Sequence, residues 1–201
     1  MTLERIHRTA SIALFVALIT ASSYITLPGL QIPFTAQSIF VMIAGLMLGS
    51  TLAASSVLIW LLLGIFGLPV FAQGGAGFAI LLSPRGGYLI GYIFMAYLSG
   101  CCRYMTFPMR IPSIVKVGLR TIILLPAMLS VYLIALPWLR WQIGAVAITN
   151  EASEISWITW QRTLLIGFWP FVITDIIKTI IVAFTYESVL KGNNQKSQTE
   201  S

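Results

Sequence analysis

The chain has 201 residues, 58% of them hydrophobic and only 9% charged, against roughly a quarter charged in soluble domains. That composition excludes an ordinary soluble globular protein. The net charge of +6 does not indicate a nucleic-acid binder, because the basic residues are scattered over short connections and termini instead of forming one patch. From Thr9 to Pro84 there is no Asp, Glu, Lys, Arg or His, a length that accommodates three passes of about 20 residues with short turns. The remainder leaves no room for a separate soluble domain, so residues 1–191 read as one membrane domain and 192–201 as a polar, disordered cytoplasmic tail.

Arg5 and Arg8 precede the first apolar run, which resembles a signal peptide but lacks a small-x-small cleavage site, so a retained helix over about Ala10–Leu27 is expected. Ala13, Ala17 and Ala21 recur every four residues on it, a stripe that permits close helix approach in lipid. Pro28 to Pro33 ends this helix. A short second helix follows over Phe34–Leu48, with Thr35, Gln37 and Ser38 at its start and able to face a polar cavity. Gly49-Ser50 turns the chain into a third helix, Thr51–Phe66.

Gly67 to Phe78 is apolar yet rich in helix breakers, including Gly74, Gly75 and Gly77. An irregular backbone in hydrocarbon leaves polar groups unpaired, so this segment is either a partly re-entrant loop lining a cavity or an ordinary external connector. Phe71, Phe78 and Tyr88 offer apolar walls, and Arg85 is either a second positive charge at a cavity mouth or an exposed loop residue. A fourth helix opens near Tyr88 and runs to Cys102. The adjacent Cys101 and Cys102 cannot close an ordinary disulfide loop.

A fifth helix is expected over Val117–Leu136, kinked at Pro126, followed by a long loop from Pro137 to Gln161. Trp138, Trp141, Trp157 and Trp160 bracket that loop as an aromatic belt, and its charges balance, Arg140 with Glu151 and Glu154 with Arg162. The sixth helix, about Thr163–Phe184, carries Asp175 and Lys178 three residues apart and therefore on neighbouring positions of one face. Ionisable groups at membrane depth normally face a bundle interior. Two readings stand: a structural ion pair, or a polar anchor in which Lys178 holds a ligand carboxylate and Asp175 either keeps Lys178 charged when the site is empty or accepts N–H bonds from a polar ring.

Six passes put both termini on one side, and Arg5, Arg8, Arg103, Arg110, Lys116, Arg120, Lys191 and Lys196 then all fall there, with Arg85, Arg140 and Arg162 opposite. The positive-inside rule makes the first side cytoplasmic. The competing class is an intramembrane enzyme. Asp175 alone cannot make an aspartate dyad, His7 lies in the N-terminal arm, and no nucleophile motif accompanies Lys178. No metal or cofactor is expected, and no lysine follows a glycine, so a P-loop is absent and energy must come from a partner or a gradient.

Four stretches, Ile32-Pro33-Phe34-Thr35-Ala36-Gln37-Ser38, Ala44-Gly45-Leu46-Met47-Leu48-Gly49, Gly67-Leu68-Pro69-Val70-Phe71 and Gly86-Gly87-Tyr88-Leu89-Ile90-Gly91, occur in the order seen in BioY, and the chain resembles that family from Ala13 to Lys178. BioY proteins are the biotin-binding S components of energy-coupling factor (ECF) vitamin transporters. The resemblance implies an all-α, six-helix, substrate-capturing subunit of the bacterial cell membrane that is not an enzyme. It associates with a transmembrane coupling subunit and two ATPase subunits. It further implies docking through Ala13, Ala17 and Ala21, biotin contacts from Asp175 and Lys178, and closure by the loop holding Gly74, Gly75 and Gly77. Another small carboxylate-bearing vitamin is the alternative ligand.

Overall fold

The computed structural model describes residues 3–27, 34–108, 110–149 and 160–199. The expected turn over Pro28–Pro33, and Glu151, Glu154 and Trp157 of the expected long loop, lie outside the described residues. The helices are α1 (Leu3–Ser23), α2 (Gln37–Leu48), α3 (Ser50–Ile65), α4 (Gly86–Cys101), α5 (Ser113–Thr149), α6 (Trp160–Gly167) and α7 (Trp169–Thr199). A two-residue antiparallel ladder, β1 (Thr26–Leu27) with β2 (Phe34–Thr35), joins α1 to α2 and pairs Thr26 with Thr35.

In α1 the buried residues Phe15, Val16, Ile19, Ser22 and Ser23 form one stripe at helical spacing, and the hydroxyls among them donate back to carbonyls of the preceding turn. Ala13, Leu14, Ala17 and Ala21 lie on the exposed side. Helix α4 sits centrally, packed against α2, α3 and α5, while α7 closes against α5 and α2. Small residues set the closest approaches: a Cβ on Gly45 of α2 would stand 2.8 Å from the Ala96 carbonyl of α4. Gly49 turns α2 into α3 at φ 86, a conformation that a side chain would disfavour.

The glycine-rich connection between α3 and α4 is held by donors that satisfy its irregular backbone, as an apolar setting requires. Ser23 Oγ donates to the Phe71 carbonyl at 3.3 Å, Trp60 Nε1 to Val70 at 3.2 Å, and the Gly77 amide to the Gly64 carbonyl at 2.7 Å. Phe71, 1% exposed, meets Trp60 edge-on with ring centroids 5.2 Å apart. Gln73 takes the left-handed conformation, φ 62, inside this loop.

The second half departs from expectation in three places. Helix α5 does not end at Leu136 but continues through Pro137 to Thr149, so the front of the expected loop is helical. Both Pro126 and Pro137 are exposed, away from the packed stripe of Leu124, Met128, Val131, Ala135 and Leu139. The expected sixth helix is broken at Phe168 into α6 and α7, because Pro170 has no N–H to continue the ladder and fits only the first turn of a new helix. Helix α7 then extends to Thr199, where a disordered tail is expected from Gly192; an already nucleated helix propagates into a polar segment without fresh nucleation cost.

Among the described residues, three helical segments, Leu3–Ser23, Ser113–Gln142 and Trp169–Gly192, are long and apolar enough to cross a membrane. Helix α2, with 12 residues, reaches about 18 Å at 1.5 Å per residue, short of a ~30 Å hydrocarbon core. Arg120 is also not the solvated flanking charge expected of it: it is 1% exposed inside α5. Its Nη2 lies 2.8 Å from Glu187 Oε1 of α7, and its Nη1 donates to the Cys102 and Met105 carbonyls at 3.1 and 2.8 Å.

Candidate functional site

A cavity of about 60 Å³ opens between the N-terminal ends of α2, α4 and α7 and the middle portion of α5. That is several times the room one water needs. Its walls are aromatic and aliphatic: Phe34, Phe71, Ile80, Tyr88, Leu89, Tyr92, Met128, Val131, Tyr132 and Phe171. The rings brace one another, Phe34 on Phe171 at 4.5 Å and Tyr88 edge-on to Tyr132 at 6.2 Å between centroids. Tyr88 hands its hydroxyl to the Gly167 carbonyl at 2.7 Å, which fixes its ring in the wall.

The polar lining comprises Thr35, Gln37, Ser38 and Arg85 as well as Asp175, the one acid among the lining residues. Asp175 is 6% exposed. Two donors hold its carboxylate: Lys178 Nζ stands 3.2 Å from Oδ1, and the Tyr132 hydroxyl donates to Oδ2. Thr179 Oγ1 caps the Asp175 carbonyl at 2.7 Å. At the start of α2, which packs against α7, Thr35 Oγ1 donates to Gln37 Oε1 at 3.1 Å, while Gln37 Nε2 and Ser38 Oγ are buried with no hydrogen-bond partner among the described residues. The site therefore presents a fixed acceptor on α7 and uncommitted polar groups on α2, inside apolar walls. Such an arrangement orients a compact ring carrying both N–H and C=O groups.

Asp175, Tyr88, Arg85, Gln37 and Phe71, singled out from sequence, all line this cavity. Lys178 does not; it touches Asp175 from the flank, with its side chain 16% exposed. Gly74 and Gly75 are not in the lining either, and the loop contributes Phe71, Ala72 and Ile80 instead. Gly75 acts on the wall indirectly: its carbonyl accepts the Phe71 amide at 3.1 Å, and a Cβ there would come within 2.6 Å of Ile80 Cδ1. Phe78, expected as a wall, is 58% exposed and outside the cavity. Ala13, Ala17 and Ala21 lie on the exposed side of α1 and have no part in it.

Sequence reasoning missed Tyr132, the second donor on Asp175. The signal was its place beside Met128 and Val131 on the apolar stripe of a helix, where a tyrosine hydroxyl needs a buried partner.

Comparison with known proteins places the chain among transporters. The biotin transporter BioY of Thermotoga maritima is 30% identical over 172 residues, 85% of this chain and 88% of the relative. Probable biotin transporters BioY from Pyrococcus horikoshii and Lysinibacillus sphaericus are 31% and 33% identical, each over 90% of this chain and over 94% and 85% of their own length. Among solved structures, the S-component for biotin from an ECF-type ABC transporter superposes with a TM-score of 0.63, at 23% identity and 95% coverage of both chains, a likeness of fold. The sequence profile of the BioY family matches residues 1–195, so the chain is a membrane protein that belongs to the BioY family.

Proposed function

We propose that this protein captures biotin with high affinity and serves its uptake as the substrate-specific subunit of an ECF-type transporter. One observation carries the reading: an aromatic-walled cavity whose only lining acid, Asp175, is held as an acceptor by Lys178 and Tyr132. Biotin has a compact fused ring with two ureido N–H groups and a carbonyl, and a flexible acid tail. The ring fills the aromatic box formed with Phe71 and Tyr88, Asp175 accepts a ureido N–H, and Gln37 supports the ring from α2. Arg85, at the α4 end of the cavity, meets the tail carboxylate, and Lys178 holds the Asp175 side chain from behind. Gly74 and Gly75 act through the loop that carries Phe71. The named function of the relatives supports the ligand; the residue roles are inferences from the geometry.

In the same reading the chain crosses the membrane six times with both termini cytoplasmic, and the exposed Ala13, Ala17 and Ala21 form the docking stripe for a transmembrane coupling subunit that works with two ATPase subunits. Equilibrium titration of the purified protein with labelled biotin tests the central claim. Saturable binding near one biotin per chain, displaced by unlabelled biotin, is expected. Absence of saturable binding refutes it.

A further inference from the structure

The two helices that bring polar groups to the cavity, α2 and α7, are unlike in hydrogen-bond character. On α7 the carboxylate of Asp175 is an acceptor, already oriented by Tyr132 and Lys178. On α2, Gln37 is 2% exposed, lines the cavity, and has its Oε1 engaged by Thr35, which leaves the amide Nε2 as the group with no partner among the described residues. A buried donor without an acceptor is costly, so such a group is retained where a guest supplies the acceptor. A cyclic urea has N–H groups on its flanks and a carbonyl between them. The helix that offers an acceptor suits the N–H groups, and the helix that offers a donor suits the carbonyl.

We infer that Gln37 is the specificity-determining residue of the site: its Nε2 donates to the ureido carbonyl and selects a carbonyl over any group that itself donates at that position. The assignment rests on the biotin reading above and adds to it the part of the ligand that α2 recognises. Iminobiotin is the probe. It shares the bicyclic ring and acid tail of biotin, but at neutral pH its guanidinium puts N–H where biotin has the carbonyl oxygen. The parent protein therefore binds biotin well and iminobiotin poorly, because two donors then face each other. Gln37→Glu replaces the donor with an anionic acceptor and shifts the preference toward iminobiotin by roughly 100-fold or more in the ratio of Kd values. Gln37→Met keeps the volume without the donor, weakens biotin by about 10- to 100-fold and shrinks the discrimination.

The experiment is competitive titration of labelled biotin on the purified full-length protein and both variants, with size-exclusion profiles to establish folding. A changed Kd ratio in Gln37→Glu, or in Gln37→Met should the glutamate variant fail to fold, supports the assignment. Wild-type biotin binding with an unchanged ratio in the folded variants overturns it while leaving the carrier reading intact. No wild-type binding overturns the carrier reading, and this assignment with it.

Discussion

Whether Asp175 and Lys178 bind ligand or merely hold helices together can be decided by removing their charges singly and then jointly. The pair is close, 3.2 Å, with side chains 9% and 16% exposed. Deleting one partner of a buried pair costs about 3–5 kcal/mol. Tyr132 remains on Oδ2 in Lys178→Met, and the ammonium is not wholly desolvated, so the expected loss falls below that range, at about 2–3 kcal/mol. Asp175→Asn combined with Lys178→Met leaves no charge, and the asparagine carbonyl can still accept from Tyr132. Stability should return to within about 1 kcal/mol of the parent. Affinity should not return. A charge-assisted bond to a ligand N–H is worth about 1.5–3 kcal/mol, roughly 10- to 100-fold in Kd, and the asparagine offers one neutral oxygen where the carboxylate offers two charged ones. The assay is thermal unfolding in detergent with and without biotin, alongside equilibrium titration. A double variant that melts like the parent and binds biotin with the parental Kd would refute the argument and leave the pair as structural glue.

Three further outcomes are expected. Ala17→Trp fills the exposed stripe of α1 and should abolish co-purification with the coupling subunit while biotin titration is unchanged; normal yield of the complex counts against docking there. A Cβ at Gly64 would overlap the tip of the Phe71 ring, so Gly64→Ala should displace that wall, lower stability by about 1–3 kcal/mol and raise the biotin Kd; an unaltered Kd contradicts the wall assignment. Arg120→Met strands Glu187, 10% exposed, and should cost about 3–5 kcal/mol in thermal unfolding, most of it regained by adding Glu187→Leu, with the fully folded fraction still binding biotin normally.

The boundaries of the fold were legible where glycine or charge punctuates the chain and illegible where proline does. Gly49 separates α2 from α3 as expected, because its φ of 86 suits little else. Proline is ambiguous: it ends a helix when it lies on the packed side or near a start, and is carried within one when its ring points away. Pro126 and Pro137 are about three turns apart and thus on one side, which is the exposed side, so α5 runs through both. Pro170 lies only three residues beyond the end of α6, and there the ladder breaks. Nothing in local composition distinguishes the two cases; it takes knowing which face of the helix is packed. Arg120 misled for the same reason, since a basic residue near a helix start reads as a membrane-flanking charge until Glu187, 67 residues away, is seen beside it.

The position of Lys178 could have been read more closely. Counting along α7, Phe171, Asp175, Thr179, Val182 and Tyr186 are all buried, steps of three and four that mark one stripe, while Ile173, Ile177 and Phe184 are 70%, 51% and 63% exposed. A step of three residues turns the helix by about 300°, so a residue three after Asp175 stands about 60° to one side of it. When Asp175 faces the cavity directly, Lys178 reaches its carboxylate from the flank and cannot also face the ligand squarely. In the proposed binding mode the aspartate meets the guest and the lysine meets the aspartate. On that geometry loss of the lysine acts through the charge and orientation of Asp175, so it should weaken biotin and its tail-modified analogues by the same factor. Truncating Arg85 should instead weaken biotin and spare an analogue that lacks the acid.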